Sequence, residues 1–349
     1  MLRKRIISVI EYLFFLGIGI LLLWLSVRNL DLSAIWKDIQ EATYGWLFIA
    51  LFLALVSHVF RALRWNLLIN TLGYKTRLSS TFFSVMIGYL ANTAVPRMGE
   101  FARCGVLSKK EKIPFNTLFG TVISERIFDM VVLIVLIFLV TIFQIELLGE
   151  FMQRNFGPFF ESLFSNIYSI LIFVGIMLLV LGILVYLVWY FREKIKAHKL
   201  YDPIRQFLDG LWNGIKTIKK MPQKGRFLIY TFFIWLFYAL MVYLPFFVLP
   251  ETSQLTFIDA LTVLAIGSLG IVAPVPGGIG AYHYIVKVTL TELYQVEANA
   301  AMSFATISHA GQTLLNILAG AASYFLIGLY SKKQKPLNES TRTYTDENS

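Results

Sequence analysis

The sequence is poor in charged side chains and in cysteine. Charged residues make up only 15% of the 349 residues, whereas hydrophobic residues make up 57%. Ordinary soluble domains carry about 25% charged residues, so this chain has too few polar side chains to cover a folded surface in water. A single cysteine, Cys104, excludes an internal disulfide, and no group of Cys and His residues has zinc spacing. We therefore expect a membrane protein that uses neither a metal nor another cofactor.

The sequence also lacks the motifs of several large enzyme classes. It contains no P-loop, GxSxG, HExxH or dinucleotide-binding glycine motif, so we do not expect ATP hydrolysis by this chain. In a soluble protein, the formal net charge of +10 would suggest nucleic acid as a partner. In a membrane protein the same excess indicates basic cytoplasmic loops, and we expect no nucleic-acid partner.

Six apolar runs are long enough to cross a membrane as helices, since a helix needs about 20 apolar residues to span the hydrocarbon core. The runs are 6–27, 46–63, 128–148, 166–190, 227–249 and 300–329. The first run is too long for the core of a signal peptide, and no cleavage site follows it. We therefore expect it to remain in the protein as the first crossing.

Two further apolar stretches, 78–95 and 257–273, each lead into a break that contains Pro and Gly. The breaks are Val95–Glu100 and Pro274–Gly280. Proline and clustered glycine end helices, and non-helical backbone inside a bilayer must be buried in protein or line a wet cavity. We therefore predict two broken helical hairpins inside the bundle, each of which either is re-entrant or forms two short crossings.

The distribution of Lys and Arg predicts the orientation. If each hairpin returns to the face from which it starts, all but four of the 31 Lys and Arg residues lie on the face that holds both termini. The four on the opposite face are Arg28, Lys37, Arg154 and Lys287. Because cytoplasmic loops retain positive charge, we predict a multi-pass protein of the cytoplasmic (inner) membrane with cytoplasmic N- and C-termini.

The order of the predicted elements indicates an inverted repeat. Crossing, crossing, broken hairpin and crossing occupy 6–148, and the same series occupies 166–329 in the opposite direction. This arrangement is typical of secondary transporters. We predict an all-α polytopic bundle with one transmembrane domain over 1–330. Residues 201–220 have the pattern of a helix on the cytoplasmic membrane surface, and 331–349 that of a disordered cytoplasmic tail.

Ionisable residues follow the first break and begin the next crossing. They are Arg97, Glu100, Arg103, Glu125, Arg126 and Asp129. One ionised side chain at the bilayer centre costs about 2.5–3.5 kcal/mol on insertion scales, so deep charges must pair or line a wet cavity. Three positive and three negative residues can pair, which predicts a substrate site. The alternative is that Glu125, Arg126 and Asp129 cap a crossing at the interface and that the charges after the break are structural.

The second break carries the residues of an anion site. Pro276, Gly277, Gly278 and Gly280 permit close backbone approach and lead into a helix that carries His283. The first N–H groups of a helix lack partners and carry partial positive charge, so we predict that this break binds phosphate. A simple tight bend between packed helices is the alternative.

Polar residues also form stripes on two other crossings. On the second crossing, one face carries His58, Arg61 and Trp65. On the last crossing, the residues at positions i, i+3 and i+7 are His309, Gln312 and Asn316. The first stripe is more typical of anchoring at the membrane interface than of chemistry. The second suits helix-to-helix hydrogen bonding as well as a substrate path.

From about Phe60 to Gly328, the chain resembles the flippase-like membrane region of lysylphosphatidylglycerol synthetases. The shared motifs are Arg61-x-x-Arg64-Trp65, Asn92-x-x-x-Pro96-Arg97-x-Gly99-Glu100-x-x-Arg103, Glu125-Arg126-x-x-Asp129 and Pro274-x-Pro276-Gly277-Gly278-x-Gly280. In that family a separate soluble domain attaches the amino acid, and we expect this chain to translocate without synthesis. The acidic residue that usually follows the last motif is His283 here, which offers no fixed negative charge for a cationic aminoacyl headgroup.

The expected function is movement of a lipid with an anionic headgroup between leaflets. The lipid would be a phospholipid, an aminoacylated phospholipid or a polyprenyl-phosphate precursor, bound by the arginines and the break amides, while the carboxylates hold the arginines. One alternative is a lipid-modifying transferase with Glu125 or Asp129 as general base. Another is an accessory subunit of a cell-envelope enzyme. A homo-oligomer or an envelope-enzyme partner is compatible with each of these functions.

Overall fold

We describe the protein from a computed structural model, which covers residues 2–164, 179, 182, 221–270 and 275–333. The described residues form helices joined by turns, without a strand among them, which confirms the all-α class. The predicted surface helix at 201–220, the tail beyond 333, and the crossing at 166–190 apart from two isolated positions lie outside the described residues.

The helices are α1 Leu2–Val27, α2 Leu32–Glu41, α3 Tyr44–Thr71, α4 Leu78–Ala94, α5 Met98–Glu111, α6 Phe115–Phe143, α7 Ile145–Phe164, α8 Lys224–Tyr243, α9 Phe257–Gly270, α10 Ala281–Tyr294 and α11 Ala298–Lys333. A 3-10 turn, Leu244–Val248, extends α8. Contacts divide the chain into two units, one of residues 1–140 and 220–349, the other of residues 141–219. The second unit contains α7, which carries Pro158 within its length. The structural features described below belong to the first unit.

Among the described residues, four helices are long and apolar enough to cross a membrane, namely α3, α6, α8 with its 3-10 extension, and α11. The part of α1 from Leu13 onward forms a fifth candidate span together with α2, and the two helices meet at 90°. Large apolar side chains such as Phe52, Phe138 and Phe325 point outward. Outward-facing apolar side chains of this kind suit contact with lipid, so the chain is a multi-pass membrane protein.

Two crossings extend past the apolar runs from which they are predicted. α3 continues beyond residue 63 to Thr71, and α6 begins at Phe115 rather than at residue 128. The predicted bounds lie where charged residues begin, because the hydropathy of the sequence falls there. Charges that pair inside a bundle do not end a helix, so the predicted bounds are too short at these two ends.

The first predicted hairpin is confirmed, because α4 and α5 pack against each other across a three-residue break. The Gly99 N–H donates to Asn92 Oδ1 at 2.7 Å, and Gly88 lies against the Gly99 carbonyl and Arg103 Cβ. Within the break, Arg97 adopts a left-handed backbone conformation with φ of 63°. Two glycines at the contact allow the two helix backbones to approach more closely than larger residues would.

The second hairpin is formed by α9 and α10. Tyr294 in the last turn of α10 is hydrogen-bonded to Thr262 and Asp259 near the start of α9, so the two helices run in opposite directions. The tip of this hairpin meets the tip of the first one. A Cβ atom on Gly277 would lie 3.6 Å from the carbonyl oxygen of Thr93, near the end of α4.

The close approach of Gly88 and Gly99 gives a test of the first hairpin. A methyl group at Gly99 would collide with the Gly88 carbonyl and the Asn92 side chain. We expect Gly99→Ala to lower the free energy of unfolding by about 1–3 kcal/mol, as overpacking usually does. Thermal unfolding of the purified protein in detergent measures this effect.

Gly105→Ala is the matched control, since it lies on the same helix and a Cβ atom there meets nothing within 4 Å. It should leave the melting temperature unchanged or raise it, because alanine favours helix more than glycine does. Equal destabilisation by both variants would contradict the hairpin contact.

Candidate functional site

The centre of the candidate site is the carboxylate of Glu125, which is fully buried in α6. Arg61 Nε lies 2.8 Å from Glu125 Oε1, and Arg64 Nη2 lies 3.3 Å from the same oxygen. Arg103 Nη1 lies 3.2 Å from Oε2. Because a buried carboxylate is stable only when it is paired and hydrogen-bonded, these contacts explain how the α6 helix carries it. One carboxylate thus joins α3, α5 and α6.

Asp129 lies one turn along α6 from Glu125 and binds the same two arginines of α3. Arg64 Nη1 and Nη2 lie 2.7 and 2.9 Å from the two oxygens of Asp129. Arg61 Nη2 lies 3.5 Å from Oδ2. Arg64 also donates to Thr231 on α8 at 3.2 Å. The planar guanidinium group with five N–H donors suits such shared contacts, which lysine could not reproduce.

Aromatic side chains enclose the arginines. Arg61 Nη1 donates to the hydroxyl groups of Tyr89 on α4 at 2.6 Å and of Tyr238 on α8 at 3.1 Å. The guanidinium carbon of Arg103 lies 4.8 Å from the ring centroid of Trp65, a cation–π contact. These contacts hold both guanidinium groups in place without adding negative charge.

A second ion pair lies beside the buried one and is more exposed. Arg126 Nη2 lies 2.7 Å from Glu100 Oε1, and the Arg126 side chain is 44% exposed. The whole cluster therefore contains four arginines and three carboxylates. It consists of Arg61, Arg64, Arg103, Arg126, Glu100, Glu125 and Asp129. One positive charge is left in excess.

A small cleft, about 220 Å³ when its open mouth is included, lies between the first hairpin and this cluster. Its lining consists of Arg61, Val85, Gly88, Tyr89, Asn92, Gly99, Glu100, Arg103 and Arg126. Arg103 is only 3% exposed, and its Nε and Nη2 atoms have no hydrogen-bond partner within the described part of the chain. Buried donors of this kind are normally satisfied, and Arg103 is one of the residues that line the cleft.

The structure brings together five of the six charged residues predicted around the first break, all except Arg97. The side chain of Arg97 is exposed and does not line the cleft. Glu125 and Asp129 lie within α6 and bind arginines of the bundle interior, which is not the geometry of an interfacial cap. That each of these residues binds substrate stays a prediction.

The residues of the second break form a separate group at the tip of the second hairpin. Gly277, Gly278 and Gly280 have φ angles of 60°, 74° and 85°, a region that only glycine adopts readily. The N–H groups of Gly278 and Gly280 donate to Val275 O at 3.1 Å and to His283 Nδ1 at 3.4 Å. Both are therefore used inside the break, and anion binding by these amides stays a prediction.

His309 on α11 connects that break to the last crossing. Its Nε2 atom lies 2.9 Å from the carbonyl oxygen of Gly277, and its ring lies 4.9 Å from that of His283. The buried Pro276 begins the 3-10 turn at the tip. These contacts fix the tip against α11, close to where it meets α4.

The reasoning from sequence missed two members of the cluster, Arg61 and Arg64. The stripe of His58, Arg61 and Trp65 near the end of an apolar run suggested anchoring at the interface, and Arg64 was not part of that stripe. The anchoring interpretation is wrong, because these three side chains, and that of Arg64, are buried in the bundle. The signal that could have identified both arginines is a motif shared with the family that the sequence resembles, Arg61-x-x-Arg64-Trp65.

Comparison with known proteins gives a family match over most of the chain. The family described as the lysylphosphatidylglycerol synthase TM region matches residues 10–320. The UPF0104 membrane protein MJ1595 of Methanocaldococcus jannaschii is 22% identical over 346 residues, covering 95% of this chain and 97% of the relative. The UPF0104 membrane protein PH1989 of Pyrococcus horikoshii is 23% identical over 284 residues, covering 77% of this chain and 82% of the relative. No solved structure shows significant similarity to the chain.

Two glutamates of the cluster give a test of its energetics. Glu125→Gln would leave three buried guanidinium groups without their shared carboxylate. We expect it to lower the free energy of unfolding by about 3–5 kcal/mol, the usual cost of breaking a buried ion pair on one side. Thermal unfolding in detergent, followed by circular dichroism, measures the loss.

Glu100→Gln is the control, because it makes the same chemical change in the half-exposed pair with Arg126. Exposed pairs contribute about 0–1 kcal/mol, so its melting temperature should stay close to that of the wild type. A Glu125 variant as stable as the Glu100 variant would show that the buried pairs do not hold the bundle.

Proposed function

This chain belongs to the family of the lysylphosphatidylglycerol synthase transmembrane region, and from that premise we propose that it moves a lipid with an anionic headgroup between leaflets. The observation that carries the proposal is the cleft beside the arginine cluster. The cluster has one positive charge in excess, and Arg103 presents two unpartnered N–H donors there. A phosphate oxygen would satisfy these donors as charge-assisted hydrogen bonds.

The cluster also offers a way to release the headgroup. Arg103 and Arg61 pair with Glu125, while Arg126 pairs with Glu100. A bound phosphate would compete with these carboxylates for the same guanidinium groups. When the headgroup leaves, the carboxylates pair with the arginines again, so no arginine remains without an ion pair in the bundle. Binding of this kind can be reversible, which repeated transport requires.

The shape of the site supports a transport cycle that involves movement of the first hairpin. The enclosed space of the cleft is about 10 Å³, which holds about one water molecule, whereas common ligand pockets enclose roughly 300–1,000 Å³. α5 supplies Gly99, Glu100 and Arg103 to the lining, and it joins α4 through a short break at Arg97. Movement of α5 about this break would widen the cleft and let a headgroup enter while its acyl chains stay in lipid.

Further features of the chain support the same proposal. The two hairpins, with tips in contact near the end of α4, match the arrangement of broken helices in secondary transporters. The excess of Lys and Arg on one predicted face supports placement in the cytoplasmic membrane with both termini in the cytoplasm.

The proposal is tested with vesicles that contain the purified protein and phosphatidylglycerol with a fluorescent acyl chain. Dithionite added outside quenches label in the outer leaflet, so the slow second phase of quenching measures movement between leaflets. We expect Arg103→Gln to slow this phase at least tenfold, because it removes both free donors and the excess charge. Glu125 retains its ion pairs with Arg61 and Arg64 in this variant, so the bundle should stay folded.

Arg226→Gln is the matched control, since Arg226 is an exposed residue in the first turn of α8 and does not line the cleft. Its rate should stay within twofold of that of the wild type. A labelled lipid with an uncharged sugar headgroup should move no faster than in protein-free vesicles. Equal rates for the wild type and the Arg103 variant would reject the site.

Lipid analysis separates transport from synthesis. In cells that lack the gene, we expect the inventory of lipid species to be unchanged and only the distribution of one anionic lipid between leaflets to differ. Mass spectrometry of total lipid, combined with labelling of headgroups on intact cells, measures both quantities. A lipid species that disappears would favour the transferase alternative instead.

A further inference from the structure

His58 on α3 is a buried histidine outside the lining of the cleft. It is 2% exposed, and neither of its ring nitrogens has a partner in hydrogen-bond geometry within the described residues. Buried polar atoms without a partner are rare in folded proteins and call for an explanation. Histidine is the side chain that most readily gains and loses a proton near neutral pH.

The surroundings of His58 connect it to the arginine cluster. Arg61 lies one turn further along α3 and is the charged group nearest to it on that helix. Tyr89 from α4 lies with its ring centroid 4.3 Å from that of His58, and its hydroxyl group accepts from Arg61. The other hydroxyl that accepts from Arg61 is Tyr238 from α8. None of these three residues carries a carboxylate that could pair with a protonated His58.

A further neighbour of His58 lies on α11. Asn316 is the polar side chain there, and its Oδ1 atom also lacks a partner in hydrogen-bond geometry within the described part of the chain. An amide oxygen can accept a hydrogen bond from a ring N–H group, so Asn316 could stabilise a protonated His58. Together these observations place two unpartnered ring nitrogens and an unpartnered amide oxygen beside a cluster that has one positive charge in excess.

We propose that His58 binds a proton together with the anionic headgroup, so that transport of the lipid is coupled to movement of a proton in the same direction. This inference rests on the proposed function. An anion in the cleft offsets the charge of Arg61 and would make a second positive charge on His58 more favourable. By linkage, a proton on His58 tightens anion binding by the same factor. The proton comes from water on the loading side, binds one ring nitrogen and returns to water on the other side.

The sign of the pH dependence follows from this linkage. Protonation of His58 increases as pH falls, and it adds positive charge near the cleft. We therefore expect anion binding to become about tenfold tighter between pH 8 and pH 5.5, within the usual range of coupling between two sites. Quenching of tryptophan fluorescence by short-chain phosphatidylglycerol in detergent measures binding, since Trp65 contacts Arg103 in the cleft.

The same coupling is measured in vesicles that enclose a pH-sensitive dye. In wild-type vesicles, inward movement of labelled phosphatidylglycerol should acidify the interior, and the rate should rise about tenfold from pH 8 to pH 5.5. His58→Gln keeps a polar side chain that can bond to Asn316 but cannot hold a proton. We expect it to bind and move lipid without pH dependence and without acidification.

His198→Gln is the control, because it removes another of the four histidines and should retain the pH dependence. If the wild type lacks pH dependence and acidification, or if His58→Gln retains them, the inference is overturned.

If His58→Gln does not fold, nitrogen NMR of wild-type protein with labelled histidine decides. One ring should convert to imidazolium when the short-chain lipid is added at pH 6, and no conversion would overturn the inference.

The two proposals can fail separately. If neither the wild type nor any variant moves lipid, but binding of the short-chain lipid depends on pH through His58, the transport proposal fails. The linkage between proton and anion binding then stands. If lipid moves at a rate that is independent of pH and of His58, transport stands and coupling fails.

Discussion

The shared carboxylate of Glu125 is the interaction on which the described bundle depends. A carboxylate and an arginine in an apolar bundle each carry a desolvation penalty of several kcal/mol, which only close pairing offsets. Glu125 meets this requirement for three arginines at once, from α3 and α5. The pairs therefore fix where the first hairpin lies against two long crossings. They also hold Arg103 at the cleft, with Trp65 beneath it.

The same network explains how a stable bundle could also contain the binding site that we propose. Charges that balance completely would form a structural core only. Here the arginines exceed the carboxylates by one, and Arg103, whose Nε and Nη2 atoms have no partner among the described residues, lines the cleft. The hairpin that supplies part of the cleft is held at its contact by small residues, Gly88 and Gly99, and turns at a backbone break. A site at such a break can change shape at low cost, whereas a site between continuous helices would have to move whole crossings.

The two hairpins contribute in different ways. The first supplies charged side chains to the cleft, whereas the second presents a glycine-rich tip whose N–H groups at Gly278 and Gly280 are used internally. Contact of Gly277 with Thr93 brings the second tip to the end of α4, one residue from Asn92 of the cleft lining. A change at either tip can therefore be transmitted to the other through direct backbone contact. His58 packs against Tyr89, whose hydroxyl group accepts a hydrogen bond from Arg61 of the cluster.

The sequence by itself determined the all-α membrane class, the two hairpins and most of the charged residues, because apolar run length, helix-breaking residues and rare intramembrane charges are local signals. It did not determine the ends of α3 and α6 or the roles of Arg61 and Arg64, which looked like the polar end of a crossing. A hydropathy scale gives each charged residue one fixed value, whether or not its charge is paired in the fold. Only the tertiary structure decided that these charges face one another across three helices, because pairing depends on which side chains meet in space.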